Sequence, residues 1–497
     1  MSATPIVDPE LHASAFAKLR QKIPTGCYIG GSWAPAADGA TVAVLDPSSG
    51  EHLADVAAGS AADATRAVDA AAAALPGWAA TPPRVRAEVL RKAFEIMTQR
   101  LDELATVVVL ENGKTLADAR GEVSYAAEFF RWFAEEAVRN SGELATAPSG
   151  TNRILVSYQP IGVAALVTPW NFPAAMLTRK VGPALAAGCT VVCKPASETP
   201  LTALLLAEIL EEAGAAPGVV NVLVAKSPSE VVNTWLADTR VRKLSFTGST
   251  EVGRVLLRGA AENIISCGME LGGNAPFIVF DDADLDAAVA GAMIAKMRNG
   301  GEACTAANRF FVQQGVAKEF GQRLAATMGK LRMGPGLHEG VDLGPLVNEP
   351  SRDKVVGLVD AAITDGAKAL VGADAPDGTG WFYPATVLAD VGADSAILTE
   401  EIFGPVAPIA TFSSESEAIT LANATQFGLA SYCYTRDLAK GLRVAEALES
   451  GMVGLNRGLV SDPAAPFGGV KQSGLGREGG HEGMLEYLEA KYIACSW

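Results

Sequence analysis

A cysteine and a glutamate with complementary chemistry lie on two glycine-containing segments of the chain. Cys304 lies in Gly-Gly-Glu-Ala-Cys-Thr at 300–305, and Glu270 opens Glu-Leu-Gly-Gly at 270–273. Small or polar neighbours leave this sulfur open to an electrophile, whereas Cys189 and Cys193 lie in an apolar run typical of a buried strand. The thiolate is the reactive form of cysteine, and a carboxylate can activate water. The sequence predicts Cys304 as a nucleophile and Glu270 as a base.

Alternating strand and helix patterns between residues 160 and 280 indicate the fold that would position these groups. Strands are predicted at 162–168, 190–194, 219–224 and 241–246, with helices at 173–187, 199–214, from 227 onward and at 250–261. Thr199 and Pro200 are predicted to supply the cap and first turn of the second helix. Such alternation is typical of a mostly parallel sheet covered on both faces, with ligands at the carboxyl ends of its strands.

The flanking sequence predicts further α/β structure. Helical stretches at 61–74 and 84–111 are expected to pack around the sheet. A second α/β unit is predicted from residue 275, with strands at 276–280, 306–313, 407–412 and 431–435, and a surface loop at 374–381. The glycine-rich stretch 466–476 lacks the end of an ATP-binding loop, so we interpret it as structural.

Several polar groups follow the predicted strands. Asn171 offers an amide donor, although a turn-forming asparagine is an equal alternative, and Lys194 places an ammonium group at the ligand edge. The turn with Gly248 and Ser249 precedes a helix whose N-terminus could bind a pyrophosphate, but it is not the Gly-x-Gly-x-x-Gly fingerprint. Within 400–405, a glutamate could bind ribose hydroxyls and a phenylalanine a flat ring, or the segment is only a turn into a strand.

Composition excludes several classes of protein. The 497 residues are 49% hydrophobic and 19% charged, with neither an N-terminal signal nor an apolar span, so we expect a cytoplasmic protein without a membrane partner. Seven cysteines without paired short spacings and four scattered histidines predict neither a disulfide framework nor a metal site. A net charge of −16 makes nucleic acid an unfavourable partner.

Seven motifs occur in an order that identifies a family. They are Pro-Trp-Asn-Phe-Pro at 169–173, Lys-Pro-Ala-Ser at 194–197, Phe-Thr-Gly-Ser at 246–249, Glu-Leu-Gly-Gly at 270–273, Cys304, Glu-Ile-Phe-Gly-Pro at 401–405 and Pro-Phe-Gly-Gly at 466–469. From about residue 28 to the C-terminus, the chain resembles the NAD(P)-dependent aldehyde dehydrogenase superfamily, and within it the succinate-semialdehyde dehydrogenases. The resemblance implies an α/β fold with a Rossmann-type dinucleotide-binding domain (1–140 and 161–272), a catalytic domain (273–480) and a small oligomerisation β-element (141–160 and 481–497). A homodimer or homotetramer is also implied, and the apolar run 484–493 is expected to end in a strand between subunits.

The resemblance also implies roles for individual residues. Cys304 would be the nucleophile, Glu270 the base, and Asn171 with the Cys304 amide the oxyanion hole. The residues implied to hold or border the dinucleotide are Trp170, Lys194, Ser197, Gly248, Ser249, Glu401 and Phe403. Because Ser197 stands where relatives that favour NAD often carry glutamate, its lack of negative charge favours NADP, with NAD tolerated.

The implied substrate is an aldehyde with a distal carboxylate. Arg179, Arg298 and Ser461 match positions that bind the carboxylate tail in succinate-semialdehyde dehydrogenases, although each arginine by itself could form a surface ion pair. The expected reaction oxidises succinate semialdehyde to succinate through a cysteine thiohemiacetal and a thioester. Glu302 and Arg457 leave the length of the substrate's carbon chain and its exact identity open, so another small ω-carboxy or uncharged aldehyde is an alternative.

Two other classes of function compete with this interpretation. A cysteine hydrolase or thioesterase would also use a thiol, but it usually pairs the thiol with histidine, and no histidine lies within 30 residues of Cys304. A non-catalytic protein on the same fold would bind the dinucleotide without turnover. Dinucleotide-dependent oxidation of an aldehyde distinguishes the predicted enzyme from both.

Overall fold

The computed structural model describes residues 9–496, in which the strands form two large sheets, a three-stranded sheet and two short ribbons. The α-helices are α1 (Pro9–Leu19), α2 (Ala61–Ala80), α3 (Pro83–Gln99), α4 (Leu101–Asn112), α5 (Leu116–Glu136), α6 (Pro173–Ala187), α7 (Leu201–Ala213), α8 (Pro228–Ala237), α9 (Thr250–Ala261), α10 (Leu285–Met297), α11 (Ala317–Met328), α12 (Glu349–Thr364), α13 (Ala396–Thr399), α14 (Glu415–Asn423), α15 (Leu438–Ala447) and α16 (Glu482–Leu485). The β-strands are β1 (Cys27–Ile29), β2 (Ser32–Ala34), β3 (Thr41–Leu45), β4 (His52–Ala57), β5 (Glu143–Thr146), β6 (Arg153–Pro160), β7 (Val163–Val167), β8 (Thr190–Lys194), β9 (Val220–Val222), β10 (Val241–Thr247), β11 (Ser266–Glu270), β12 (Ala275–Val279), β13 (Ala307–Gln313), β14 (Lys368–Val371), β15 (Thr386–Ala389), β16 (Val406–Phe412), β17 (Phe427–Gly428), β18 (Ala430–Tyr434), β19 (Met452–Leu455), β20 (Val470–Lys471), β21 (Gly474–Leu475) and β22 (Leu488–Cys495). The prediction that no signal peptide is present concerns the first residues of the chain, which lie outside the described residues.

The first large sheet brings the carboxyl ends of parallel strands to one edge. Its order is β2-β1-β9-β8-β7-β10-β11-β21, and the strands from β9 to β11 in that order are parallel. Strand pairing places Val167 opposite Lys194, and Thr247 opposite Glu270. The segments that follow these residues therefore lie close together, as the sequence predicted.

Helices cover both faces of this sheet, and β7 shows why. Ala164 and Leu166 belong to the buried cluster beneath α3–α7, whereas the alternate residues Val163, Ala165 and Val167 belong to the cluster beneath α2, α8 and α9. Side chains alternate along a strand, so a continuous apolar run is required when both faces are covered.

The predicted strands and helices in and around this sheet are confirmed, although α2 continues beyond the predicted residue 74 to Ala80, and two further differences occur. The first concerns α7, where Pro200 is the cap residue and not the first helical residue; the distant Glu111 carboxylate accepts hydrogen bonds from the amides of Leu201 (2.6 Å) and Thr202 (3.0 Å). A carboxylate at a helix N-terminus replaces the missing local cap, which the local sequence could not reveal. The second is that the 84–111 stretch is interrupted at Arg100, which separates α3 from α4.

The second large sheet has the order β14-β15-β16-β13-β12-β18-β19, and only β14 is antiparallel to its neighbour. It confirms the predicted second α/β unit. The three-stranded sheet β22-β6-β5 pairs residues near the C-terminus with 143–160, and the predicted C-terminal strand is thus confirmed. One pairing crosses between units, because β21 joins the edge of the first sheet beside β11. In residues 9–496, no helix is long and apolar enough to cross a membrane.

Candidate active site

Cys304 lies on a tight loop between α10 and β13. The backbone turns through three left-handed residues, Asn299 (φ 52°), Gly300 (φ 59°) and Gly301 (φ 82°). A Cβ at Gly273 would overlap the carbonyl oxygen of Cys304, so glycine is needed where the Glu270 segment meets the cysteine loop. The loop holds the thiol half-buried at the junction of the two large sheets.

A cleft of about 230 Å³ at this junction brings together most of the predicted site residues. The predicted residues that line it are Trp170, Asn171, Gly248, Ser249, Cys304, Glu401 and Phe403. Ser351 and Lys354 at the start of α12 also line it, although the sequence analysis did not identify them. The other predicted residues (Glu270, Lys194, Ser197, Arg179, Arg298 and Ser461) lie outside this lining.

Two hydrogen-bond donors are available near the thiol. The Asn171 side chain donates Nδ2 to the carbonyl oxygen of Glu302 (3.1 Å), which lies two residues before Cys304. The buried Asn171 Oδ1 has no protein partner. Within the described part of the chain, no backbone acceptor bonds the Cys304 amide. The second N–H of Asn171 Nδ2 and the backbone N–H of Cys304 can therefore both donate to an oxygen that develops negative charge beside the sulfur.

The protein groups around Cys304 favour the neutral thiol. Burial raises the pKa of Cys304 to about 12, with Glu270 and Glu401 adding to the rise, while Arg179 and Arg298 oppose it. Attack by the sulfur therefore requires a group that takes its proton or a positive charge that enters the cleft.

Glu270 ends β11, and its carboxyl group is shielded from solvent. Neither carboxyl oxygen has a protein hydrogen-bond partner. Burial and the nearby Glu478 raise the pKa of Glu270 well above its ordinary value, against the opposing effect of Arg179 and Lys180. A base with a raised pKa can accept a proton near neutral pH. Glu270 borders a small cavity of about 10 Å³ lined by polar side chains, close to the minimum volume that one water occupies.

Arg179, which the sequence predicts as a ligand of the carboxylate tail, forms a buried ion pair. It is 1% exposed and forms an ion pair with Glu478, which also pairs with Lys180. Burial by itself would raise the pKa of Glu478, but Arg179 and Lys180 together lower it. The guanidinium also lies 4.3 Å from the ring centroid of Phe467, and its buried Nη2 has no hydrogen-bond partner. Glu478 thus balances the charge of Arg179, and the N–H bonds of Nη2 remain available to a ligand.

Arg298 has a different environment. Its guanidinium lies over the rings of Phe172 (4.8 Å) and Tyr125 (5.6 Å), and it forms no ion pair in the described part of the chain. Tyr125, which the sequence analysis missed, has a buried hydroxyl without a protein partner. Ser461 is half-buried on the segment after β19, and no side-chain hydrogen bond ties it to other described residues.

The far end of the cleft suits a nucleotide. Ser249 caps α9 by accepting a hydrogen bond from the Val252 amide (3.3 Å), so the helix N-terminus faces the cleft. Burial raises the pKa of Glu401 to about 7, although the Gly273 amide donates to its Oε1 (2.9 Å). The rings of Trp170 and Phe403 meet edge to face at 5.3 Å.

Lys194 and Ser197 lie apart from this cleft. Burial lowers the pKa of Lys194 to about 8, and its Nζ donates to the carbonyl oxygen of Pro195 (3.0 Å). Ser197 borders a separate cavity of about 220 Å³ together with Glu198. The structure therefore does not join Ser197 to the cleft of Cys304.

No histidine serves the thiol. The four histidines all fall within the described residues, and none lines the cleft that contains Cys304. His12 pairs with Asp46 (2.8 Å) and His481 with Glu136 (2.8 Å). A cysteine–histidine hydrolase is disfavoured by this arrangement.

The chain belongs to the aldehyde dehydrogenase family, whose model matches residues 33–493. It is similar to a succinate-semialdehyde dehydrogenase of Paenarthrobacter nicotinovorans (56% identical, covering 89% of this chain and 99% of the relative). It is also similar to a glutarate-semialdehyde dehydrogenase of Pseudomonas putida (50% identical, 94% and 97%). The crystal structure of an NADP-dependent enzyme from E. coli superposes with a TM-score of 0.95 (48% identical, 96% and 99%). The predicted family and fold are thus confirmed.

Proposed function

We propose that this protein oxidises succinate semialdehyde to succinate, with NADP favoured and NAD tolerated. One observation carries the substrate class: near Cys304, the buried Arg179 keeps its Nη2 without a hydrogen-bond partner, and Arg298 forms no ion pair in the described part of the chain. In a protein with a net charge of −16, two buried or half-buried arginines at a nucleophile suit a substrate with a distal carboxylate. The names of the two semialdehyde dehydrogenases support the same class.

In the first step, the Cys304 sulfur bonds to the aldehyde carbon and its proton passes to a base. Glu270 is suited to take this proton because its pKa is raised. The carbonyl oxygen becomes an oxyanion, which the Asn171 side chain and the Cys304 amide stabilise by hydrogen bonds. The carboxylate tail of the substrate binds to Arg298, to the free Nη2 of Arg179 and to the Ser461 hydroxyl.

The cleft fits a nicotinamide dinucleotide. The N-terminus of α9 with Gly248 and Ser249 would hold its pyrophosphate, Glu401 a ribose, and Trp170 and Phe403 would border it. When bound, the dinucleotide supplies the two-electron oxidation that converts the cysteine adduct into a thioester. We assign Lys194 and Ser197 to the adenosine end, where serine in place of a carboxylate leaves room for a 2′-phosphate.

Hydrolysis of the thioester completes the reaction. Glu270 first releases to solvent the proton it took from Cys304. It then takes a proton from water, the resulting hydroxide attacks the thioester carbon, the carbon–sulfur bond breaks, and Glu270 returns this proton to the sulfur as the acid leaves. The buried surroundings of Glu270 keep it a stronger base than an exposed carboxylate.

The test is a panel of aldehydes with both cofactors. The comparison uses kcat/KM for succinate semialdehyde, glutarate semialdehyde and butanal, each with NADP and with NAD. We expect succinate semialdehyde to exceed butanal by at least about tenfold, as one charge-assisted contact would give. Preference for glutarate semialdehyde would show that the natural substrate has a longer carbon chain. Preference for butanal would overturn the proposal that the site binds a distal carboxylate.

We also propose that copies of the chain associate through the sheet β22-β6-β5, as a dimer or tetramer. Leu144 (69% exposed), Tyr492 (58%) and Ile493 (43%) present apolar surface on this sheet. In the domain division that we propose, residues 1–140 and 161–272 bind the dinucleotide, 273–480 form the catalytic domain, and 141–160 with 481–497 form this oligomerisation element. Light scattering tests the association, and a stable, active monomer at micromolar concentration would contradict it.

A further inference from the structure

A buried lysine lies beneath the loop that carries Asn171. The side chains of Lys114 and Glu122 are both 0% exposed, and Lys114 Nζ donates to Glu122 Oε2 at 2.6 Å. The same Nζ donates to the main-chain carbonyl oxygen of Asn171 (2.8 Å) and lies 4.1 Å from the ring centroid of Phe172. Lys114 therefore contacts the loop at the residue that bears the proposed oxyanion donor.

The backbone at Asn171 is held from a second direction as well. Asn299 Nδ2 donates to the Asn171 carbonyl oxygen (2.9 Å) and also to the carbonyl oxygen of Glu302 (3.0 Å) on the cysteine loop. The neighbouring Trp170 carbonyl oxygen accepts from Asn112 Nδ2 (3.1 Å), on the last residue of α4. Side chains from two separate segments, 112–114 and the cysteine loop, thus fix two successive peptide groups.

Glu122 extends this network to the start of α6. Its Oε1 accepts hydrogen bonds from the amides of Ala174 (2.8 Å) and Ala175 (3.4 Å), in the first turn of that helix. The carboxylate thus satisfies helix N-terminal amides while its other oxygen holds the lysine. The loop with Asn171 lies between these two points of attachment.

Stability alone is a weak reason for this ion pair. Desolvation offsets much of the attraction within a buried pair, and apolar side chains of similar volume are often equally stabilising. A charged donor, however, sets the position of a carbonyl oxygen more narrowly than an apolar contact does. An oxyanion donor must be placed within a few tenths of an ångström of its target to contribute fully.

We propose that Lys114, with Glu122 as its counter-ion, is a positioning residue that holds the Asn171 amide beside the oxygen of the reacting carbonyl group. The inference rests on the proposed role of Asn171 in the oxyanion hole. Lys114 touches neither substrate nor dinucleotide in this assignment, and it acts only through Asn171.

A double-mutant cycle tests this dependence. The rate of the first turnover, followed as the burst of reduced cofactor, is measured for wild type, Lys114→Met, Asn171→Ala and the double variant. We expect Lys114→Met to lose about tenfold and Asn171→Ala about 10²–10³-fold, whereas Lys114→Met costs less than about twofold when Asn171 is already alanine. Dinucleotide binding should change by less than about twofold in each variant.

Arg86 provides a matched control. It is a buried cation that donates to the carbonyl oxygens of Ala186 (3.1 Å) and Thr81 (2.5 Å), near the opposite end of α6. Arg86→Met should lower thermal stability while the burst rate remains within about twofold of wild type. If Lys114→Met does not fold, Lys114→Met with Glu122→Gln leaves no unpaired charge and keeps an acceptor for the α6 amides; the same cycle is then measured on it.

The outcomes separate the two assignments. A full tenfold loss from Lys114→Met in the Asn171→Ala background, or a wild-type burst in Lys114→Met, would overturn the positioning role. A wild-type burst in Asn171→Ala would overturn the oxyanion hole itself, and with it the task assigned to Lys114.

Discussion

Arg179 and Glu478 form a buried ion pair beside Glu270, and the two partners act on its carboxyl group with opposite sign. Glu478 raises the pKa of Glu270, while Arg179 and Lys180 lower it. The protonation state of Glu270, the proposed base, therefore depends on the charges of this ion pair, although neither partner forms a hydrogen bond with Glu270. This dependence can be measured.

Glu478→Gln should move the pH profile of thioester hydrolysis to lower pH. Without the Glu478 charge, the two cations act unopposed and the pKa of Glu270 falls. Because the unprotonated form is active, the acidic limb of the profile should move to lower pH. Single-turnover rates between pH 5 and 9 measure it, with Glu486→Gln as the control because Glu486 borders the same small cavity. An unmoved limb, or a shift to higher pH, would refute this coupling.

Cys304→Ala should abolish oxidation and spare dinucleotide binding, because the sulfur forms the covalent bond and the cofactor residues lie elsewhere in the cleft. We expect at least about a hundredfold loss of turnover. Cys433→Ala, which alters a buried thiol in the second sheet, should retain activity and serves as the control. Turnover above about a hundredth of wild type in Cys304→Ala would remove the nucleophile assignment.

Glu270→Gln should separate the two halves of the reaction. The amide cannot accept the proton of the attacking water, so a burst of reduced cofactor should precede a steady state slowed by at least about a hundredfold. Stopped-flow absorbance resolves the two phases. A steady-state rate equal to that of wild type would assign Glu270 a structural role.

Arg298→Met should weaken use of succinate semialdehyde by about tenfold to a hundredfold more than use of butanal, which loses only the small effect of Arg298 on the pKa of Cys304. Arg179→Met should impair both aldehydes, because it leaves Glu478 without one of its buried partners and raises the pKa of Glu270 further. Ser461→Ala should be selective but milder. The ratio of kcat/KM for the two aldehydes is the measurement, and equal losses in Arg298→Met would place that arginine in a structural role.

Ser197→Glu should shift preference from NADP toward NAD, because a carboxylate would repel the 2′-phosphate. We expect about a tenfold change in the ratio of kcat/KM for the two cofactors. The neighbouring Glu198→Gln variant controls for charge in the cavity that both residues border. An unchanged ratio in Ser197→Glu would show that the segment does not face the adenosine ribose.

Local sequence patterns determined much of the fold and several parts of the site. Apolar runs with capping and turn residues predicted β8 at Thr190–Lys194 and α6 at Pro173–Ala187 without error. The order of motifs indicated the family and predicted which side chains would follow the strand ends. Such information is local, because strand and helix periodicity is set by residues close in sequence.

Tertiary structure alone decided how these groups are charged and held. The pairing of Arg179 with Glu478 spans 299 positions of the chain, and the bonds from Lys114 and Asn299 to Asn171 span 57 and 128. No periodicity links such distant residues, since their contacts depend on how the two large sheets and the C-terminal segment pack. Burial and neighbouring charges then set the pKa of Glu270, and this shift cannot be predicted from the identity of the residue.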